Sequence, residues 1–404
     1  MIIGKTVASV LLSLLSFIVL MMMAFKRFSE YQSYPFYHHS SDVYNPLINV
    51  TILANSTRQF VQEPLFSSEI FMNFDEFLDY YISWQNEMVS HGIPDKFVCF
   101  EPTNVGIATT IYGLISTMFY AMITKRPIMI CNFPTFPLYF RTAMNIPLYN
   151  LTETHTISTL TYKPCYPGFP WLLTTEIYPF TYNRQEIMNC QCKLIHYYIR
   201  NSKFKHRLYE MGVRSTSRNA YITESRIISL FMKRLFFPSL PIKETIDSFT
   251  EEWASYYILG VHIRAGDRIS FQFKQYSPIP YEYRRQQLVN ATLERTRALN
   301  KTNIKWFIAT DYSPLKVSIQ QNYPQYAFYY NSTIVHTGIN KYQIPSQGTF
   351  DAILELYLLS TCQERIVSSI TSYGELATLI NPTGNKIIKM TNVYTGDYYT
   401  TEKK

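Results

Sequence analysis

Charge is scarce in this chain: 16% of its 404 residues are Asp, Glu, Lys or Arg, against 47% that are hydrophobic. That balance excludes a disordered chain and calls for a large core. Basic runs are lacking as well. The formal net charge is +8, but it comes as scattered residues and pairs such as Lys26-Arg27 and Lys403-Lys404. A nucleic-acid binder gathers its charge into runs or onto one helix face, so no nucleic-acid partner is expected. The surplus fits a solvated basic surface, or an anionic small substrate. Among the six cysteines no Cys-x-x-Cys spacing occurs, and the eight histidines are scattered, which speaks against a bound metal. An even cysteine count is what an oxidising compartment permits. No G-x-x-x-x-G-K-[ST] and no G-x-G-x-x-G is present, so neither a phosphate-loop kinase nor a dinucleotide enzyme is supported. Asp-x-Asp is absent too, which argues against a metal-held pyrophosphate.

Long apolar runs are lacking with one exception. Thr6 to Phe25 carries no charge and is bounded by Lys5 and by Lys26-Arg27. About twenty residues of helix span a hydrocarbon core of ~30 Å. A cleaved signal peptide would have a shorter apolar stretch of roughly 7–15 residues and a small-residue cleavage site. The run ends instead in Met21-Met22-Met23-Ala24-Phe25, so an uncleaved anchor is the better reading. Six sequons begin at Asn49, Asn55, Asn150, Asn290, Asn300 and Asn331 and favour a lumenal body. The expected layout is a cytoplasmic tail (1–5), a transmembrane signal anchor (6–25), a stem (26–70) and a lumenal catalytic region. The 34 tyrosines and 27 phenylalanines read as packing.

Two α/β units follow from periodicity, an N-terminal lobe over 71–250 and a C-terminal lobe over 251–404. In the first, Lys96–Glu101 reads as a strand, Ile107 to Ile123 as a helix and Arg126–Asn132 as a strand, a βαβ unit implying a parallel sheet with covered faces. The stretch from Pro134 to Phe249 carries no clear signal. In the second, strands are expected at Tyr256–Ile263, Lys305–Thr310, Tyr326–Asn331, Arg365–Ile370 and Asn385–Thr391. Helices are expected at Tyr281–Leu299, Phe350–Thr361 and Ser372–Asn381. Ligands of such doubly wound sheets bind beyond the carboxyl ends of the strands. The polar groups there are Arg264 with Asp267, Thr310-Asp311, and the segment from Ser368 to Gly374.

Departure of a nucleoside diphosphate builds charge on its β-phosphate. An arginine meets that charge with two parallel hydrogen bonds and cannot lose its proton. Arg264 at a strand tip suits that task. Gly266 lets backbone approach, and Thr371 and Ser372 at a helix start add donors.

Val261-His262-Ile263-Arg264-Ala265-Gly266-Asp267 resembles the H-x-R-x-G-D signature of the GDP-fucose-dependent fucosyltransferases, the superfamily of the α1,2-, α1,6-, protein O- and xyloglucan fucosyltransferases. Phe307-Ile308-Ala309-Thr310-Asp311 resembles the second motif of that superfamily. Glu355–Ser360 with Ser368–Ala377 resembles the third, closest to the xyloglucan type. The resemblance implies two facing Rossmann-like lobes of the GT-B type behind a single N-terminal transmembrane helix. It also implies an inverting, metal-independent transfer of fucose from GDP-fucose to a glycan or glycoprotein, and a single-pass type II Golgi membrane protein. By the same resemblance Arg264 would hold the β-phosphate, with His262 in the donor-binding set. Asp311 would lie near the nucleotide, Glu355 would recognise guanine, and Thr371, Ser372 and Tyr373 would line the phosphates. Asp267 has two readings: a general base for the acceptor proton, or a cap of the turn that follows Gly266. The chain departs from the pattern at Ala265, where many members carry a second basic residue. It departs again at Asn104-Val105-Gly106-Ile107-Ala108, where the family often has G-x-G-N-R. A same-fold transferase using another sugar nucleotide is one alternative. A catalytically silent glycan-binding or scaffold protein of the secretory pathway is the other.

Overall fold

The computed structural model describes residue 66 and residues 69–92, 96–102, 105–149, 158–162, 185–190, 193–214, 222–264, 281–333, 346–368, 371–382, 387–390 and 398–401. The chain divides into Met1–Pro46 and Leu47–Lys404, and every described residue belongs to the second unit. The expected anchor at 6–25 and tail at 1–5 lie outside the described residues, as do Ala265, Gly266 and Asp267. Among the described residues no helix is long and apolar enough to cross a membrane.

The first described helix is α1 (Phe74–Ser90), which Asn73 caps by accepting from the Glu76 amide while its own amide group donates to the Glu76 carboxylate. Phe66, inside the segment expected to be stem, packs edge-on against Tyr80 and Trp84 of α1 and lies under the Arg207 guanidinium. Aromatic area of that size is held by burial, which the turn formers around it concealed.

The N-terminal sheet comprises β1 (Phe97–Glu101), β2 (Ile128–Cys131), β4 (Leu148–Tyr149), β5 (Ser158–Tyr162) and β6 (Gln185–Cys190), in the order β4-β2-β1-β6-β5 with every neighbouring pair parallel. Its first crossover is α2 (Ile107–Ile123), an apolar helix buried on nearly every side. Cys99 of β1 and Cys131 of β2 form a disulfide between these neighbouring strands. A short helix α3 (Phe136–Tyr139) leads into β3 (Phe140–Thr142), which pairs antiparallel with β7 (Phe236–Pro238). The helices α4 (Ile195–Arg200), α5 (Lys205–Glu210), α6 (Glu224–Arg234) and α7 (Leu240–Trp253) fill the region that periodicity left blank.

The C-terminal sheet contains β8 (Tyr257–Ile263), β9 (Ile304–Thr310), β10 (Ala327–Phe328), β11 (Glu364–Ser368), β12 (Ile387–Met390) and β13 (Tyr398–Thr401). Its order is β10-β9-β8-β11-β12-β13, parallel except for the antiparallel β13 at the edge. The helices are α8 (Tyr281–Leu299), α9 (Ser313–Asn322), α10 (Gln347–Thr361) and α11 (Ser372–Ile380). Two expectations change here. The strand expected over Tyr326–Asn331 pairs only at Ala327 and Phe328, because its continuation turns away to bind α9 and α10. The strand at 387–390 is followed by β13, whose tyrosine- and threonine-rich sequence had been left unassigned.

Alternation along β8 sets its two faces. Leu259, Val261 and Ile263 join a core with Leu288 and Val289 of α8, while Ile258 belongs to the core that holds α10, α11 and the N-terminal half. His262 is on the Ile258 face, toward α10 and α11.

Candidate functional site

Strand order reverses between β8 and β11: from β8 the chain moves outward to β9 and β10, and from β11 outward to β12. Parallel sheets leave a crevice beyond the strand tips at such a point. Of the polar residues expected there, Arg264, Asp311, Ser368 and Thr371 lie among the described residues and gather around the ends of β8, β9 and β11, while Asp267 lies outside them. Ser368 at the end of β11 donates its hydroxyl to the His262 carbonyl (3.2 Å) and accepts from the Arg264 amide (3.2 Å), tying the tips of β8 and β11 together. The Arg264 guanidinium reaches Asp311, beyond the tip of β9, at 2.9 Å. Three strand ends therefore converge on one arginine, whose side chain remains 43% exposed.

His262 is buried and stacks on Tyr373 with ring centroids 5.2 Å apart. Its Nδ1 lies 3.3 Å from the Thr371 hydroxyl. Burial, with the Arg264 charge adding to it, lowers the imidazole to a pKa of about 3, so the ring is neutral. Thr371 caps α11 by accepting from the Gly374 amide at 3.3 Å. This helix start stands directly beyond β11, with Ser372 as its first residue, and its free amides favour an anion. Gly374 is there for space: a Cβ would stand 2.9 Å from His262 Nδ1 and 3.0 Å from Val367 Cβ. Tyr373 donates to the Ala352 carbonyl at 2.6 Å, fixing α11 to α10.

Glu355 on α10 is also buried, and its carboxylate is engaged by Lys316 of α9 and by Ser332. Burial pushes its pKa up to about 7, although Lys316 and Ser332 both pull the other way. Lys316 further donates to the Tyr330 carbonyl (3.1 Å) and the Ser332 hydroxyl (2.6 Å). Asp351, one turn before Glu355, accepts from the Thr333 amide (2.6 Å), Tyr330 (3.0 Å) and Gln347 (2.8 Å). This network pins the segment after β10 against α10. Periodicity had not singled out Lys316, Asp351, Tyr330 or Ser332. The available signal was Lys316 itself, a cation between Leu315 and Ile319 on the one buried face of α9.

The Thr310 hydroxyl, beside Ile263 in the β8–β9 register, is buried and has no hydrogen-bond partner among the described residues. In the N-terminal half, Gly106 caps α2, and at the end of β1 the Glu101 carboxylate accepts from Asn132 at 2.7 Å. Ala108, which stands where the resembled pattern often has an arginine, is buried.

No family model matches the chain, and neither does any curated protein sequence. Solved structures do. A mutant of Arabidopsis thaliana FUT1 in complex with GDP superposes with a TM-score of 0.54 at 11% identity, covering 80% of this chain and 78% of that one. At that identity the likeness shows the fold alone, which this chain shares with that GDP-bound structure. It is the mixed α/β arrangement described above. Fucosyltransferase NodZ from Bradyrhizobium (TM-score 0.48, 17% identity, 76% of this chain and 99% of that one) and POFUT1 in complex with GDP (0.43, 10%, 73% and 99%) are further matches.

Proposed function

We propose that this protein is a glycosyltransferase that moves fucose from GDP-fucose to a glycan or glycoprotein. The observation that carries the reading is Arg264 standing at the switch point between β8 and β11, beside the free start of α11. A diphosphate seated there meets a permanent cation and helix amides together. Arg264 holds the β-phosphate, its pairing with Asp311 setting the guanidinium in place. Thr371, Ser372 and Tyr373 line the phosphates, and neutral His262 supports Thr371 from below. Glu355 recognises the guanine while the Lys316 network holds its surroundings. Asp267, which the sequence pattern offers as a base or as a turn cap, lies outside the described residues.

The buried Cys99–Cys131 bridge favours folding in an oxidising compartment. With the apolar run at 6–25 it supports a single-pass Golgi protein with a lumenal body. Asn290, Asn300 and Asn331 are exposed, as glycan acceptors must be.

Isothermal titration of residues 47–404 with GDP, GDP-fucose and GDP-mannose tests the donor. GDP-fucose binding is expected, and heat from none of the three would end the reading. Arg264→Ala should weaken GDP binding by at least ~10-fold, the scale of a charge-assisted hydrogen bond. Unchanged affinity would remove Arg264 from the site.

A further inference from the structure

A second polar cluster lies where the N-terminal half meets α11. Lys193, three residues beyond the tip of β6, forms an ion pair with Glu375 of α11 and sits over the face of Tyr112 of α2, 4.3 Å from the ring centre. Its place is set by the next residue, whose amide donates to Ser116 of α2 at 3.1 Å. Glu224, the first residue of α6, completes the group. It accepts from the His196 backbone amide and feels the charges of Lys193 and Glu375. Three helices and the loop after β6 thus bring together two carboxylates, one cation and one phenol.

Two atoms in this cluster have no partner. The Tyr112 hydroxyl and Glu224 Oε1 are shut from solvent and make no hydrogen bond among the described residues. Tyr112 is 2% exposed, and its hydroxyl interacts electrostatically with both Glu224 and Glu375. A buried donor and a buried acceptor left unmade each cost free energy. A single hydroxyl group between them would satisfy both. The place is also right for chemistry. The Glu375 amide bonds to the Thr371 carbonyl at 3.3 Å, so the Glu375 end of the cluster stands one helical turn, about 5.4 Å, into α11 from the start that the reading above gives to the donor phosphates. Lys193 and Glu375 are each about one-third exposed, which leaves the cluster open on one side.

We propose that Tyr112 and Glu224 form the seat of the acceptor hydroxyl, with Glu224 as the group that takes its proton. The inference rests on the glycosyl-transfer reading above. The acceptor O–H proton passes to the Glu224 carboxylate. The freed oxygen pair bonds the anomeric carbon, and the anomeric C–O bond breaks with its electrons leaving on the β-phosphate of GDP. Tyr112 orients the hydroxyl. Lys193 is a positioning residue: it pairs with Glu375 and draws the Glu224 carboxyl down against the burial that raises it. The groups facing Glu224 are Tyr112 from α2, Lys193, the His196 amide from α4 and Glu375 from α11.

The test measures GDP affinity by titration and GDP release from GDP-fucose with water as acceptor, in the wild-type full chain and in variants. Glu224→Gln should keep GDP affinity and lose release by about 100-fold or more, the scale of general-base catalysis. Tyr112→Phe, isosteric without the hydroxyl, should lose about fivefold or more. Lys193→Met should move the acid limb of the release profile to higher pH, a shift that a packing role would not produce. Release by both Glu224→Gln and Tyr112→Phe at the wild-type rate would overturn the seat and leave the donor reading standing. Wild-type GDP binding with no release would also overturn it. Absence of GDP binding by the wild type would instead bring down the donor reading, and the seat with it.

Discussion

At neutral pH the His262 ring carries no charge, which fits its place against a neighbouring guanidinium. Its folded pKa of about 3 lies below the usual 6.5. Below pH 6.5 the unfolded chain takes up a proton that the folded chain refuses. The contribution of this histidine to stability is therefore whole above pH 6.5 and drains away as pH falls toward 3. His262→Phe should retain the stack on Tyr373 and show a weaker loss of urea midpoint across that window. Equal acid sensitivity in the variant would show that other groups carry it. Glu355 runs the opposite way. Its carboxyl is raised to about 7, so the folded state holds a proton that the unfolded chain releases near 4.5, and this group disfavours folding increasingly as pH rises between those values.

Among the elements, α11 joins more of the site than any other, and its packing explains why. Gly374 lets the helix settle on His262 and Val367. An exposed helical Gly→Ala substitution stabilises by up to ~1 kcal/mol, but overpacking against fixed neighbours costs about 1–3 kcal/mol. The second effect wins where contacts would fall to 2.9 and 3.0 Å. Gly374→Ala should lower the melting temperature and weaken GDP binding together, and a rise in melting temperature would contradict the close approach. A similar approach occurs beneath α10, where a Cβ on Gly260 would stand 2.7 Å from Leu359 Cδ1 and 2.9 Å from the Cys362 sulfur. Both glycines serve closeness between a helix and a strand. Neither follows from periodicity, which places apolar residues but does not measure the gap.

For the whole molecule, the bridge between β1 and β2 closes a loop with a sequence separation of 32. Chain entropy for a loop of that size corresponds to about 3–4 kcal/mol. Replacing Cys99 and Cys131 together by Ala should lower the unfolding free energy by that order, read in a denaturant titration under oxidising conditions. No change would mean that the thiols are unpaired in the folded protein. A second test concerns topology: the expressed full chain should lose mobility-shifting glycans on endoglycosidase treatment, and an unchanged band would count against a lumenal body.

Local pattern alone determined much of this protein. The bounds of α2 and α8 coincide with those read from apolar spacing, and the cores of β1, β8, β9 and β11 lie within a residue or two of expectation, because a buried parallel strand must be continuously apolar. Arg264, Asp311 and Thr371 were legible because strand-tip position follows from element order. What the tertiary structure decided are contacts between residues far apart in sequence. Lys316 of α9 meets Glu355 of α10, and Tyr112, Lys193, Glu224 and Glu375 meet from three helices and the loop after β6. No spacing records such meetings, since each residue taken alone reads as a solvated charge or a core aromatic. Arg264 itself shows the division: its chemistry was written in its side chain, while its partnership with Asp311 and Ser368 depended on which strands became neighbours.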